Sequence, residues 1–407
     1  MRKTIDMPSD KIDFVPFSVP SIGKEEENAV LNVLRSGWLT TGKITLEFEK
    51  MFAEKLGAKF ALAVNSATSG LILAMEALGI TKGTKILTTP YTFISTATAA
   101  SHLGAQIEYA DIEKDSYSID PVKIEEKLSK DKNIKVVVPV HIAGNPCNMK
   151  EICRIAKKYG VSVLEDCAHA FPSKTKEGFC GTLGDIGVFS FYATKTMTTA
   201  EGGMIVTNDE KLASRIKKMR LHGIDRDVWN RYTDKKASWL YDVVEPGFKC
   251  NLPDLLSAMG IEQLKKSDLF LKKRISIIKK YNEAFAKHDC FILPPDNEGN
   301  AWHLYLLGLN FEKLNCTRDE FASELQKNGL GISMHFIPHY HFSIWEHNDN
   351  LLGDLTKADE GFCEKNFPNC EKHFLRTVTL PLWPDMMDEM VQKVIEVVIQ
   401  TGKKYAN

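Results

Sequence analysis

The 407-residue chain has almost no net charge: Lys plus Arg total 52 and Asp plus Glu 53, a formal balance of -1. Such a balance offers no basic footprint for nucleic acid and no polybasic anchor for an anionic membrane. There is no apolar run near the roughly 18 residues of a membrane span, and Met1-Arg-Lys-Thr-Ile-Asp6 carries no apolar signal core. Paired cysteines are missing too. The nine cysteines (147, 153, 167, 180, 250, 290, 316, 363 and 370) form no C-x-x-C pair and are odd in number, which argues against a disulfide framework and a zinc knuckle. Internal repeats and low-complexity segments are also absent. These absences predict a cytoplasmic protein with reduced thiols, no nucleic-acid or membrane partner, and length for roughly two or three domains.

What the chain does have is a lysine in unusual company. Gly181-Thr-Leu-Gly-Asp-Ile-Gly-Val-Phe-Ser-Phe-Tyr-Ala-Thr-Lys195 reads as a tight turn, then an apolar strand over 188–192, ending on a lysine within a Thr- and Gly-rich segment. Small polar and apolar neighbours disfavour the ammonium, lower its pKa and leave more of the free amine that attacks a carbonyl. Lys195 is therefore a candidate to hold pyridoxal phosphate (PLP) as a Schiff base. A lysine that merely caps a strand end is the competing reading, so supporting residues are needed.

A second segment supplies some. Phe60-Ala-Leu-Ala-Val64 predicts a short strand, Asn65-Ser-Ala-Thr-Ser-Gly70 a hydroxyl-bearing turn, and 71–78 a helix. A strand turning through Ser, Thr and Gly into a helix aims free N–H groups and hydroxyls at one point, where the helix dipole favours an anion. An ordinary N-cap by Ser66 or Thr68 fits the same letters. Continuous apolar strands then alternate with amphipathic helices as far as Val161-Ser-Val-Leu-Glu165, the pattern of a mainly parallel sheet covered on both faces. Ligands of such sheets sit at the carboxyl ends of strands. Thr88 to Phe93, His141, and Glu165 to His169 fall there.

Asp166 follows an apolar strand, and a buried carboxylate needs a positive partner or several donors. A protonated pyridine nitrogen would serve, and the carboxylate would keep the ring an electron sink. His169 is placed to reach a ring hydroxyl, or is a core histidine satisfied by backbone. Phe93 covers the ring face, or is simply core. Trp38, in the loop Trp38-Leu-Thr-Thr-Gly42, reads as a packing anchor or a ligand contact.

Ser36-Gly-Trp-Leu-Thr-Thr-Gly42, Asn65 to Gly70, Glu165-Asp-Cys-Ala-His-Ala170, Gly184 to Lys195 and Glu201-Gly-Gly203 occur in order, and the resemblance spans about residues 15 to 400. With these motifs the chain resembles the DegT/StrS-type sugar aminotransferases, PLP enzymes of the aspartate-aminotransferase fold (fold type I). The resemblance implies an α/β fold: a large domain with a mainly parallel, mixed seven-stranded sheet between helices, plus a smaller C-terminal α/β domain. It implies that Lys195 carries the cofactor, Asp166 pairs with the pyridine nitrogen and Phe93 stacks on the ring. Thr68, Ser69 and Ser190 would bind the phosphate, and His169 would sit beside the ring hydroxyl. Family members with histidine at the lysine position act as sugar 3-dehydratases, and Lys195 speaks against that branch.

Residues 221–247 make a loop of roughly 25 residues with aromatic and charged residues, including Trp229 and Trp239, but little regular pattern, which is functional or disordered. By resemblance it reaches a neighbouring subunit's site, so that Asn251 binds phosphate across a homodimer. His222 to Arg226 and Gly247-Phe-Lys-Cys-Asn251 are similar to the subgroup that includes the enzyme forming UDP-4-amino-4-deoxy-L-arabinose, though Cys250 stands where an aromatic is common. Residues 255–288 predict one or two long helices, Trp302 to Gly308 a strand, and Thr377 to Leu382 a last strand before a terminal helix. The expected divisions are an arm over 1–14, a PLP-binding domain over 15–262 and a small domain over 263–407. His335, His339 and His341 lack an acidic companion at ligand spacing and are interrupted by Pro338, so no metal is expected. The resemblance instead turns His335 toward the sugar, with Trp38 and Thr41 as further substrate contacts. The expected reaction moves an amino group from glutamate, leaving 2-oxoglutarate, to a nucleotide-diphospho keto-sugar, with Lys195 as acid and base. A non-transferring PLP enzyme and a binding protein on the same fold are the rivals.

Overall fold

The computed structural model describes residues 12–225, 241–345 and 361–406; Met1 to Lys11, Trp229 and Trp239 lie outside them. In chain order the first elements are α1 (Lys24–Ser36), α2 (Lys43–Leu56), β1 (Phe60–Val64), α3 (Ala67–Ala77), β2 (Lys85–Thr88), α4 (Ser95–His102) and β3 (Gln106–Tyr109). The next are α5 (Pro121–Lys130), β4 (Ile134–Val138), α6 (Met149–Tyr159), β5 (Ser162–Asp166), β6 (Ile186–Ser190), β7 (Gly203–Thr207) and α7 (Glu210–Met219). Strands β1 to β7 form one seven-stranded sheet in the order β1-β7-β6-β5-β4-β2-β3. Its pairs are parallel from β3 across to β6, whereas β7 runs antiparallel to both β6 and β1.

Strand periodicity divides the side chains between two cores. Leu62, Val64, Ile186, Val188 and Ile205 face one apolar cluster, while Ala63, Phe189, Met204 and Val206 face another built around Phe48, Phe52, Phe171 and Phe191. Helix α3 lies close on the first face. A Cβ at Gly70 would come within 2.8 Å of Val188 Cγ1, so glycine there permits the approach. Apolar side chains on both faces are what a mostly parallel sheet needs to be covered on both sides.

One unbroken helix, α8 (Asp254–Phe285, 32 residues), comes after α7. Its N-terminal half contributes Ile261 and Leu264 to the aromatic cluster, and its C-terminal half contributes Ile277, Ile278, Tyr281 and Phe285 to a separate core. The expected boundary at 262 thus falls inside a helix that both cores share. At its start, Asp254 caps α2 from a distance: Oδ1 accepts the N–H groups of Gly42 (2.7 Å) and Thr45 (2.9 Å).

The second core surrounds a three-stranded antiparallel sheet ordered β10-β9-β8, from β8 (Phe291–Ile292), β9 (Tyr305–Leu309) and β10 (Thr377–Leu380). It is flanked by α9 (Arg318–Lys327), α10 (Phe362–Asn366), α11 (Pro368–Arg376) and the terminal α12 (Asp388–Lys404). Strand β9 starts later than the expected Trp302. Residues 301 to 304 bond to the 143–144 turn instead, through Ala301 N to Gly144 O (3.1 Å) and His303 N to Ala143 O (2.9 Å). No helix among the described residues is long and apolar enough to cross a membrane.

Candidate active site

The carboxyl ends of the central strands open on a cavity of about 400 Å³. Seven of the residues singled out from sequence line it: Thr68, Phe93, Asp166, His169, Ser190, Lys195 and His335. Each arrives on a different local structure. Ser190 closes β6, Asp166 closes β5, and Thr68 lies in the first turn of α3.

That first turn is where the sequence predicts an anion cup. Ser66 is the N-cap, extended at φ -165°, and its Oγ accepts the N–H of Ser69 at 3.1 Å while lying 3.0 Å from the Ser69 hydroxyl. The helix therefore starts earlier than the apolar run alone indicates, which brings Thr68 and Ser69 into the turn whose N–H groups lack partners within the helix. Gly203 passes directly beneath: a Cβ there would sit 2.8 Å from Ala67 N and 2.9 Å from Ser66 C.

Asp166 is buried. Oδ2 accepts from Thr96 Oγ1 at 2.8 Å and Oδ1 from Ala168 N at 3.0 Å. Burial pushes its carboxyl pKa up, and these two donors with the Lys195 charge pull it back. No cation among the described residues forms an ion pair with it. Lys195 touches the cavity but is otherwise enclosed by protein, and this burial pushes its pKa down to about 8 against the upward pull of Asp166. About a tenth of the amine is then free at pH 7, against less than about a thousandth for an ordinary lysine.

Three histidines gather around the lysine. His169 Nδ1 accepts the N–H of Ala143 at 3.2 Å, and burial, Lys195 and His335 hold the ring neutral. His335 shares a 2.9 Å hydrogen bond with Thr379 Oγ1, and burial, then Lys195, pushes it down to about 3. The third, His303, was not singled out from sequence; its ring centroid is 4.4 Å from that of His169. Thr96 was also missed. Neither stands in a motif whose spacing announces a partner.

Ser69, Asn251, Thr41 and Trp38 do not line this chain's cavity. Ser69 faces Cys250, and Asn65 N donates to Cys250 O at 2.8 Å. Asn251 Nδ2 donates to Thr41 Oγ1 (2.6 Å), which donates to Leu252 O (2.5 Å). The loop bearing Trp38 and Thr41 is thus docked on 251–254, beside β1.

The donors suit PLP. Hydroxyls and N–H groups at a helix start match a phosphate, and an enclosed carboxylate with no ion-pair partner among the described residues matches a protonated pyridine nitrogen. The amine lies on the same cavity, and Phe93, 59% exposed, presents an apolar face at its wall.

His335, His339 and His341 bond to separate partners: Thr379, Tyr109 and Glu371. Elsewhere His141, Glu165 and Cys167 bring possible ligand atoms within 4.8 Å of one another. The histidine and the carboxylate are already engaged. Cys147 N donates to His141 Nδ1 (3.0 Å), His141 Nε2 donates to Glu165 Oε2 (3.0 Å), and the carboxylate also accepts the N–H groups of Gly181, Leu183 and Gly184 at 2.7–2.8 Å. This buried carboxylate anchors the turn that feeds β6.

Comparison with known proteins assigns the fold to a family. The chain is 43% identical over 389 residues to the spore coat polysaccharide biosynthesis protein SpsC of Bacillus subtilis, covering 95% of this chain and 96% of that protein. Among solved structures, Helicobacter pylori PseC, an aminotransferase involved in the biosynthesis of pseudoaminic acid, matches with TM-score 0.86 and 29% identity over 97% of this chain and all of that one. Spr1654 of Streptococcus pneumoniae, assigned as a sugar aminotransferase, matches in its PMP form with TM-score 0.87 and 27% identity, covering 96% and 99% of the two chains. It also matches in a PLP form, with TM-score 0.86. A model of the DegT/DnrJ/EryC1/StrS aminotransferase family matches residues 20–399. The chain belongs to that family, and is a PLP-dependent sugar aminotransferase of fold type I.

Proposed function

We propose that this protein transfers the amino group of glutamate to a keto-sugar carried on a nucleoside diphosphate, at C4, giving an amino sugar for a surface polysaccharide or glycoconjugate. The observation that carries the reading is a lysine of lowered pKa sharing one cavity with a helix N-terminus and a buried carboxylate that forms no ion pair among the described residues. The C4 choice is supported by Gly247-Phe-Lys-Cys-Asn251, similar to the arabinose subgroup. The polysaccharide role is supported by the names of SpsC and PseC.

PLP, when bound, supplies the electron sink and carries the amino group between the two halves of the reaction. Lys195 would bond to it covalently and, once released, move the proton between donor carbon and cofactor. Its amine needs less help from an outside base near neutral pH, because enclosure raises the free fraction well above that of an ordinary lysine. Asp166 would hold a proton on the pyridine nitrogen. Thr68, Ser69 and Ser190 would grip the phosphate, Phe93 would cover the ring, and His169 would donate to the ring oxygen. His335 would meet the sugar nucleotide in this chain's cavity, and Trp38 and Thr41, docked on 251–254, would meet it from a second copy. Asn251 of a second copy would complete the phosphate site in a homodimer, which fits its position outside this chain's own cavity. Nine free cysteines suit a reducing, cytoplasmic setting.

The test is a panel of nucleotide-linked 3-keto and 4-keto sugars incubated with glutamate, reading amino-sugar products by mass spectrometry and 2-oxoglutarate by a coupled assay. A 4-amino product is expected. A 3-amino product overturns the position, and no product with any donor overturns the reaction.

A further inference from the structure

We propose that His303 is a positioning residue: it holds the peptide that carries Lys195 and the ring of His169 in one register, and ties both to the core of the smaller sheet. The proposal rests on reading Lys195 as the PLP-bearing residue. His303 stands just ahead of β9 and is 4% exposed. Its Nε2 lies 3.2 Å from the carbonyl oxygen of Thr194, the residue before the lysine. A carbonyl only accepts, so Nε2 carries the proton.

The opposite face of the arrangement is a single residue. Ala143 donates its N–H to His169 Nδ1 at 3.2 Å, and its carbonyl accepts the N–H of His303 at 2.9 Å. Ala143 manages both at φ 59° and ψ 7°, a left-handed conformation that a residue with a Cβ rarely adopts. With Nδ1 engaged, His169 has only its Nε2–H to offer the cavity. Behind His303, Arg274 Nη1 donates to the carbonyls of Trp302 and His303 at 3.2 Å each, so the backbone cannot drift. The groups that face His303 are His169, Lys195, Arg274 and His335, none of them acidic, and burial first, then these neighbours, keeps the ring neutral. Its Nδ1 is enclosed with no partner among the described residues. Packing alone does not require a donor aimed at the lysine's neighbour.

The two roles separate in the full-length enzyme, stripped of PLP and then supplied with it, by following the rate of cofactor uptake against pH. Attack needs the free amine, so the midpoint of that profile reports Lys195. His303→Phe keeps a flat ring on His169 but removes the donor; His303→Gln keeps an amide donor and removes the ring. With His303→Phe, uptake at pH 7 is expected to slow about tenfold, the loss of one hydrogen bond's worth of positioning. Its midpoint is expected to rise, because a loosened peptide lets water reach the amine. For the transfer reaction kcat should fall about as far with little change in KM for the donor, and His303→Gln should recover most of both effects. If His303→Phe does not fold, His303→Asn, too short to reach the Thr194 carbonyl, carries the same expectation. A lowered melting temperature with uptake rate and midpoint unchanged overturns the proposal, as does a His303→Gln variant as impaired as His303→Phe. Borohydride reduction of the wild-type holoenzyme, with peptide mass analysis of the product, tests the underlying reading separately: label on a lysine other than 195 overturns that reading, whatever the midpoints do.

Discussion

Thr96 Oγ1 donates a 2.8 Å hydrogen bond to Asp166 Oδ2, joining the first turn of α4 to the end of β5. With Ala168 N on the other oxygen, the carboxylate has one direction fixed by a side chain and one by backbone. An amide in its place keeps the shape and loses the charge. Asp166→Asn should retain the fold but cut the rate of the glutamate half-reaction by at least about 100-fold, the scale of a lost charge-stabilising group in an enclosed site. Stopped-flow absorbance of the PLP-loaded enzyme measures it; a rate within about tenfold of wild type contradicts the assignment.

Lys195 titrates below its ordinary value of 10.5, at about 8, so the folded, cofactor-free chain holds fewer protons than the unfolded chain between those values. Stability must then rise with pH across that window, and below about 8 the burial penalty is felt in full. Lys195→Met removes the penalty. The cofactor-free variant should be more stable than wild type at pH 7, on the order of 2 kcal/mol after allowing for the solvent that reaches the amine. The difference should shrink as the pH is raised from about 8 toward 10.5. Urea unfolding at several pH values decides it.

Glu165 accepts three backbone N–H groups of the turn before β6 as well as the His141 ring. In Glu165→Gln an NH₂ group must face at least one of those donors. A loss of about 2–4 kcal/mol is expected, from stranding donors in a dry site. Denaturant midpoints measure it, and a loss under about 1 kcal/mol would show that the turn can rearrange.

Gly203→Ala would press a Cβ to within 2.8 Å of Ala67 N. The atoms it meets on Ser66 and Ala67 are backbone, so the first turn of α3 must move, at about 1–3 kcal/mol. PLP affinity should fall about tenfold or more while the sheet survives; titration of the cofactor-free variant with PLP gives the number.

Much of this could be read in advance, for identifiable reasons. Asn65 to Gly70 between an apolar run and a helix predicted an anion cup because caps and small residues have local causes, and the apolar run before Asp166 placed the acid at a strand end because burial has a period. The enclosure of Lys195 was legible from its neighbours. Thr96 and His303 were not, since Asp166 is 70 residues from the first and Thr194 is 109 from the second. The late start of β9 was hidden for the same reason: Trp302 to Leu304 look as strand-like as Tyr305 to Leu309, but the Ala143 carbonyl, far earlier in the chain, accepts the N–H groups of His303 and Leu304, and Asn300 Oδ1 accepts that of Trp302. The composition that argued against membrane and nucleic-acid partners could not say which residues a second copy would bring.

In the large sheet the antiparallel strand β7 lies between β1 and β6, and Gly203 pairs with Val64 on one side and Ser190 on the other. The Ser66–Ser69 turn hangs from β1 and the lysine segment from β6, so one residue of β7 acts as the gauge mark for both. Two ladder spacings, roughly 10 Å, set the distance between those strands. That span is written in main-chain geometry, so exchanging side chains on the cavity wall would leave the Ser66–Ser69 turn and the lysine segment the same distance apart.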